Sequence, residues 1–118
     1  MPCELRRFRA FERQLHTIFK IFPNSQKHIE NNISKLSKKP RNGDRYPGFG
    51  ELEIRKLRIP LKAYNIGKSK GLRIITIYVP EKNIIAPLVI YKKGNHGSEK
   101  DVKSLIMSTI KEVKEELP

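Results

Sequence analysis

The sequence predicts an α+β protein: a helical hairpin followed by a small, mainly antiparallel twisted sheet of three to four strands and a C-terminal helix. Three observations support this fold class. Apolar residues recur at spacings of three and four in two segments before residue 40 and in one after residue 98. Three short runs between them are rich in β-branched and aliphatic residues and are separated by turn residues. The order (β)ααβββα suits a single domain over residues 1–118 with one core.

Two helices joined by a short turn are expected in the first third of the chain, after a brief strand within 5–10. Pro23 ends the first helix, and Asn24 or Ser25 serves as N-cap of the second, which stops before Pro40. Two short helices joined in this way are typical of an antiparallel helical hairpin. The apolar stripes are Phe11, Leu15, Ile18, Phe19 and Phe22 in the first helix and Ile29, Ile33 and Leu36 in the second.

Three strands are predicted at 52–59, 71–79 and 84–91, with a tight turn at 80–83 that makes the last two a hairpin. The middle strand is apolar on both faces, which indicates a central strand covered by helices. A loop at 38–50 precedes them, and its Tyr46 and Phe49 are expected to pack onto the core. The last helix begins at Ser98, which forms a capping box with Asp101. Its apolar stripe is Val102, Leu105, Ile106, Ile110, Val113 and Leu117.

The charge of the chain is strongly positive, with 25 Lys and Arg against 12 Asp and Glu and a net charge of +13. Such an excess points to nucleic acid, an anionic membrane or an acidic protein partner. No stretch approaches 18 apolar residues and no signal segment opens the chain, so membrane spanning and secretion are not expected. The single cysteine, Cys3, cannot form an internal disulfide. This fits a cytoplasmic protein.

The positive charge is concentrated in the predicted sheet. Between Ile54 and Arg73 there are seven cations and no acid, and the first of them alternate with aliphatic residues. Strand alternation places Lys56 and Arg58 on the same face. The segment 99–116 is nearly neutral by comparison, with four lysines and five acids. The asymmetry predicts a localised polyanion-binding face. Its candidate residues are Arg55, Lys56, Arg58, Lys62, Lys68, Lys70 and Arg73.

Three segments in this region resemble the RelE/HigB toxins of type II toxin–antitoxin systems. They are RKLRIP at 55–60, GKSKGLRII at 67–75 and LVIYKK at 88–93. In that family a strand ending in a K-[LI]-R-like motif is followed by G-K-S-G-G-x-R-[VI]-[IV]-Y and then by an aliphatic strand that closes in Y-x-K. The resemblance implies a cytoplasmic toxin domain that cleaves mRNA as an endoribonuclease, in many relatives within the ribosome. It also implies a cognate antitoxin, which we expect to be acidic and helix-forming.

The resemblance also implies the site residues. The expected catalytic residues are Lys56, Arg58, Arg73, Tyr91 and Lys93, and the expected RNA-binding residues are Arg55, Lys68, Lys70, Lys92 and His96. Two departures matter, because Lys70 stands where the family has a glycine and the last helix lacks the Tyr or His that several relatives use. The general base and general acid are therefore not assigned. His96 is the best substitute for the missing His, although a turn residue is the favoured interpretation.

These residue types suit RNA cleavage without a metal or cofactor. The 2′-hydroxyl of the substrate attacks the adjacent phosphorus, so the protein must remove a proton, stabilise phosphoryl charge and protonate the leaving 5′-oxygen. The planar fork of Arg binds phosphate oxygens in pairs and keeps its charge, while Lys can serve as acid or base. Tyr91 can stack a base or, as an ordinary strand-end aromatic, pack against the last helix.

Two other functions remain open at the sequence level. One is a ParE-like toxin that inhibits a topoisomerase without cutting RNA, and the other is a non-catalytic RNA- or DNA-binding module. Nucleoside triphosphate binding is rejected, because Lys62 stands where the P-loop preceding Lys68 and Ser69 needs a glycine. His16 and His28 lack metal-ligand spacing, so no metal site is expected.

Overall fold

A mixed sheet with helices on both faces organises the computed structural model, which describes residues 2–94 and 99–116. Within these ranges the sheet has five strands in the order β1-β5-β4-β3-β2. The strands are β1 Glu4–Leu5, β2 Asp44–Arg45, β3 Glu53–Ile59, β4 Leu72–Val79 and β5 Ile84–Lys92. The helices are α1 Arg9–Ile21, α2 Gln26–Lys35 and α3 Glu99–Glu116.

The predicted α+β class is confirmed, with two differences in the strands. The long strands β3, β4 and β5 pair antiparallel, whereas β1 pairs parallel to the start of β5. The two-residue β2 lies inside the segment predicted as loop, and β1 lies at 4–5 instead of within 5–10. Each short strand has only two residues, which is too few for an alternating pattern to be visible in the sequence. They are defined by hydrogen bonds to their neighbours, such as the one from Tyr46 N to the Ile54 carbonyl (2.7 Å), next to β2.

The helical hairpin covers one face of the sheet. Buried residues of α1 and α2 pack with Leu57 and Ile59 of β3 and with Leu72 and Ile74 of β4. A 3₁₀ turn at Pro23–Ser25 joins the helices, as the Pro and the polar residues after it predict. Ser25 occupies the N-cap position of α2, but its side chain makes no capping hydrogen bond there. The hairpin therefore depends on burial more than on its cap.

The helix α3 covers the other face. Its Val102, Ile106, Ile110 and Val113 are buried against a second apolar cluster of the sheet that includes Ile75. This double coverage confirms the interpretation of β4 as a central strand. Leu105, predicted in the buried stripe, is exposed (41%), since it lies at the edge of the apolar face. Ser98 and Leu117, and with Ser98 the predicted capping box, lie outside the described residues. No helix in the described ranges has the length and apolar character needed to cross a membrane.

Candidate functional site

Four of the predicted site residues lie on one face of the sheet, the face that α3 covers. On β3 and β4, Arg58 is directly opposite Arg73, and on β4 and β5, Arg73 is directly opposite Tyr91. Cβ atoms of directly opposite residues lie about 4.5–5.5 Å apart. Lys56 is two residues from Arg58 on β3 and points to the same side. The three cations expected to surround one phosphodiester are therefore neighbours.

Arg73 is a buried cation that holds a loop in place. Its side chain is almost fully covered, and Nη1 donates to the carbonyls of Lys68 (2.7 Å) and Leu72 (3.2 Å), while Nη2 donates to that of Ser69 (3.0 Å). Burial and the positive charge of Arg58 lower the pKa of Arg73. Arg73 thus holds the loop at 67–70 against the sheet, and the exposed Lys68 and Lys70 are carried on that loop.

A groove of about 340 Å³ opens beside these cations, between β2, β3 and the first turns of α3. Tyr46, which follows β2, is buried in its wall, and the Lys56 ammonium lies 5.1 Å from the centroid of the Tyr46 ring. A cation at this distance is attracted to the face of the ring, so Lys56 is held by a rigid support. The charged and aromatic residues of the groove are Asp44, Arg45, Tyr46, Lys56, Arg58, Glu99 and Lys103.

Glu99 is a second acid, besides Asp44, in this mainly basic groove. The Tyr46 hydroxyl donates a hydrogen bond to Glu99 Oε2 (2.8 Å). Burial raises the pKa of Tyr46, and this hydrogen bond to the carboxylate raises it further. Burial also raises the pKa of Tyr91, with a further contribution from the charge of Glu99 and an opposing one from Arg73. The carboxylate therefore lies close to both tyrosines.

Comparison with solved structures finds chains with a similar fold. The chain is similar to a double arginine-to-alanine mutant of the E. coli toxin RelE in the free state, with a TM-score of 0.59 at 14% identity, covering 92% of this chain and 98% of that one. It is also similar to the isolated E. coli RelE toxin, with a TM-score of 0.55 at 16% identity, covering 90% and 98%. The chain has a RelE-like fold. No family model matches the sequence, and no curated protein matches it.

The RelE-like sheet separates Arg55 from this groove. Arg55 lies on the opposite face from Lys56 and donates to Glu53 (2.9 Å), which also accepts from Arg41. The two guanidinium groups lower the pKa of Glu53 to about 2, so Arg55 belongs to a stable ionic cluster. Strand alternation already separates Arg55 from Lys56.

The two lysines at the end of β5 lie in different surroundings. Lys92 lines a second groove on the α1 side of the RelE-like fold, whereas Lys93 is exposed in the turn after β5, with its backbone N bonded to the Gly71 carbonyl (2.9 Å). His96 lies outside the described residues.

The second groove, about 280 Å³ between α1 and β5, has a different character. Most of its lining is apolar, with Ile18, Ile21, Phe22 and Ile90, and within the described ranges Lys92 is its one cation. It lacks the charge that a phosphodiester requires. Across the described residues no group of three His, Cys, Asp or Glu side chains is placed to hold a metal ion.

The sequence interpretation missed the groove residues that lie outside β3. Tyr46 was expected in the core, but not as a support for Lys56. Asp44, Arg45, Glu99 and Lys103 were not singled out. A partial signal existed for Tyr46, an aromatic residue between turn residues just before the basic strand. Glu99 offered none, because its distance from Tyr46 depends on how α3 is docked.

Proposed function

We propose that this chain, as one toxin domain over residues 1–118, is the toxin of a toxin–antitoxin pair and cleaves mRNA as a metal-independent endoribonuclease, assisted by the ribosome, in the cytoplasm. The observation that carries the proposal is the Arg58–Arg73 pair. Like charges directly opposite each other on neighbouring strands destabilise a sheet. A phosphodiester bound by Arg58 above the buried charge of Arg73 would turn repulsion into attraction, with Lys56 beside it. The RelE-like fold supports the toxin assignment.

The groove residues divide the chemistry between them. Arg58 is exposed, so its fork is available to pair with two phosphoryl oxygens as negative charge develops on them. Lys56 is fixed over the Tyr46 ring and carries a transferable proton near the same phosphate. Arg73 contributes positive charge from below while its loop carries Lys68 toward the RNA backbone. Tyr91 is mostly buried, which favours a supporting role over base stacking.

The test is a double variant, Lys56→Ala with Arg58→Ala, measured for cleavage of a translated mRNA on ribosomes. Removing both cations should lower the cleavage rate about 10²–10⁴-fold, since each well-placed proton-transfer group contributes on that scale. The products of the wild type should carry 2′,3′-cyclic phosphate and 5′-hydroxyl ends. The matched control is Lys27→Ala with Lys38→Ala, which removes the same charge from exposed positions on the helical side.

The outcomes separate the candidate functions. Wild-type cleavage by the Lys56/Arg58 double variant would refute the site. Products with 3′-hydroxyl and 5′-phosphate ends, which hydrolysis by metal-activated water leaves, would refute metal independence. Inhibition of supercoiling without any RNA cleavage would favour the ParE-like alternative. Salt-sensitive RNA binding without cleavage on ribosomes would favour a non-catalytic binding module.

Arg73 is a poorer probe than Arg58. Replacing Arg73 by Ala removes the donors that hold the 67–70 loop as well as a charge near the phosphate. A loss of activity in that variant would therefore mix two causes. Arg58 is exposed and carries no such hydrogen bonds to the loop, so Arg58→Ala removes a phosphate contact without releasing the loop.

The proposed antitoxin is an acidic, helix-forming chain, because the net charge of +13 and the cationic groove complement such a partner. By lying over the groove it would compete with RNA for Lys56 and Arg58. An acidic open reading frame beside this gene whose product restores growth would support this part of the proposal.

A further inference from the structure

We propose that the Glu99 carboxylate accepts the proton of the attacking 2′-hydroxyl and that the Tyr46 hydroxyl positions that carboxylate. The assignment rests on the proposed ribonuclease function and supplies its missing general base. Glu99 would be a catalytic residue, whereas Tyr46 would be a positioning residue.

Glu99 has the right location for this step. It lies in the first turn of α3 and lines the same groove as Lys56 and Arg58. Asp44 is the other carboxylate in the described lining of that groove, and it lies on β2, opposite Lys56 and two strands away from Arg73. The charge of Glu99 acts on Tyr91, which is paired with Arg73 across the strands. Glu99 is thus the acid on the Arg73 side of the groove.

Tyr46 is built to hold both reacting groups. Its side chain is 4% exposed, its ring packs against Phe49 with centroids 5.8 Å apart, and its backbone N bonds to Ile54. One end of this fixed side chain donates to Glu99, while the ring face supports the Lys56 ammonium. The raised pKa of Tyr46 keeps its hydroxyl protonated, so it remains a donor. A base and an ammonium group are therefore preorganised by one residue.

The reaction step balances with these groups. Glu99 takes the proton from the 2′-hydroxyl, and the 2′-oxygen forms a bond to phosphorus. The bond between phosphorus and the 5′-oxygen breaks, and that oxygen takes a proton from the Lys56 ammonium. The products are a 2′,3′-cyclic phosphate and a 5′-hydroxyl. Glu99 then releases its proton to water and Lys56 takes one up, which restores the starting state.

The surroundings of Glu99 contain other groups that titrate or carry charge. Lys103 lies one turn further along α3, and the tyrosines 46 and 91 face the carboxylate from the β2–β3 segment and from β5. The charged groups on the strands around the groove are Asp44 and Arg45 of β2, Lys56 and Arg58 of β3 and Arg73 of β4. A pH profile must therefore be assigned by substitution, because several groups bear on the same site.

The alternative to catalysis is a purely structural role of Glu99. An acid in the first turn of a helix stabilises the helix, and the hydrogen bond from Tyr46 ties α3 to the segment after β2. The variant Glu99→Gln keeps the shape of the side chain and an oxygen that accepts from Tyr46, but it removes the basic carboxylate. Tyr46→Phe keeps the ring under Lys56 and removes only the donor.

The experiment compares the wild type with Glu99→Gln, Glu99→Asp and Tyr46→Phe. The kcat and KM for cleavage are measured across the acidic to neutral range, together with urea unfolding. Glu99→Gln should lower kcat about 10²–10⁴-fold with little change in KM, and it should abolish the fall in rate at acidic pH. Glu99→Asp should restore part of the rate and the acidic fall. Tyr46→Phe should keep the acidic fall and lose less activity.

The results distinguish this inference from the proposed function. If the wild type cleaves RNA and the Lys56/Arg58 variant does not, but Glu99→Gln keeps its rate and its acidic fall, the base assignment alone is wrong. If Glu99→Gln loses stability and rate in proportion while keeping the acidic fall, Glu99 is structural and the inference is also overturned. Absence of cleavage by the wild type refutes the proposed function itself.

Discussion

Arg73 and Arg58 form a pair in which stability and charge oppose each other. The folded protein lowers the pKa of Arg73 through burial and the charge of Arg58, so it holds this proton less readily than the unfolded chain does. By linkage, the charged guanidinium therefore reduces stability at every pH below its pKa, including neutral pH. Three hydrogen bonds to carbonyls offset that cost. Functional sites often retain such destabilising features, and here the exposed member of the pair, Arg58, lines the groove.

Removing the outer charge of this pair should stabilise the protein. We expect Arg58→Gln to raise the free energy of unfolding by about 0.2–1 kcal/mol at low salt, because the variant removes the like-charge contact with Arg73. Urea denaturation at low and high salt measures the effect, which should shrink as salt screens the repulsion in the wild type. The same variant should lose cleavage activity.

The matched control for this measurement is Lys27→Gln, which lowers the net charge equally from an exposed position on α2. A similar gain in both variants would show that the general charge of the chain, and not the Arg58–Arg73 pair, is being relieved. A loss of stability in Arg58→Gln would contradict the proposed repulsion outright.

Single residues show where prediction from sequence stops. Strand alternation predicts that Lys56 and Arg58 share a face, and the structure agrees and adds Arg73 to that face through the register of β3 and β4. It cannot show that the carbonyls at 68 and 69 turn toward Arg73, because loop conformation depends on the finished sheet. Nor can it place Glu99, which lies 53 residues from Tyr46 along the chain.

At the scale of elements, the junction between β3 and β4 sets the geometry of the groove. Gly71 precedes β4 and is buried where the chain passes close to the end of β3. A Cβ atom placed on Gly71 would collide with the Ile59 carbonyl oxygen and approach the Gly67 carbonyl oxygen to 3.0 Å. The close approach of the two backbones brings Arg58 and Arg73 opposite each other, so only glycine fits here.

Gly71→Ala should therefore destabilise the protein and disturb the site. We expect the free energy of unfolding to fall by about 1–3 kcal/mol, the usual cost of overpacking, because backbone atoms must move. Urea denaturation measures this loss, and cleavage should fall as the 67–70 loop shifts. Gly67→Ala is the control, since nothing lies within 4 Å of a Cβ at that position. Equal stability of the two variants would show that the junction is less tightly packed than the structure indicates.

The long elements were predictable because their burial is periodic. The strands β3, β4 and β5 and the helices α1, α2 and α3 lie close to their predicted ranges, since each has two or more buried apolar residues at the right spacing. The strands β1 and β2 have two residues each and are defined by pairing alone. Leu105 shows the limit of the helical pattern, because a stripe predicts a face but not how far a neighbouring sheet extends.

At the scale of the molecule, the order of apolar patterns predicted the α+β class, and the three motifs at 55–60, 67–75 and 88–93 pointed to the RelE-like fold, which the structure shares with RelE structures at only 14–16% identity. Two apolar clusters on opposite faces of one sheet can be built from many sequences with the same periodicity. Site chemistry is less tolerant, because it requires particular groups at particular distances. This contrast explains why the fold was predicted more completely than the groove.

The net charge of +13 raises a question that only the whole molecule can answer, namely whether RNA is bound by a general positive coating or by the groove. On single strands, each phosphate neutralised contributes about −0.7 to the slope of log affinity against log salt concentration. Four groove cations, Arg45, Lys56, Arg58 and Lys103, therefore predict a slope of about −3.

We expect the Lys56→Ala, Arg58→Ala variant to make this slope shallower by about 1.4, because two phosphate contacts are lost. The measurement is a salt titration of binding to a 2′-O-methyl oligoribonucleotide, which cannot be cleaved through its 2′-oxygen. The Lys27→Ala, Lys38→Ala control has the same net charge but should keep the wild-type slope, since its lysines lie away from the groove. Equal changes of the slope in the two variants would mean that RNA binds to positive charge anywhere on the surface. The groove would then not be the binding site.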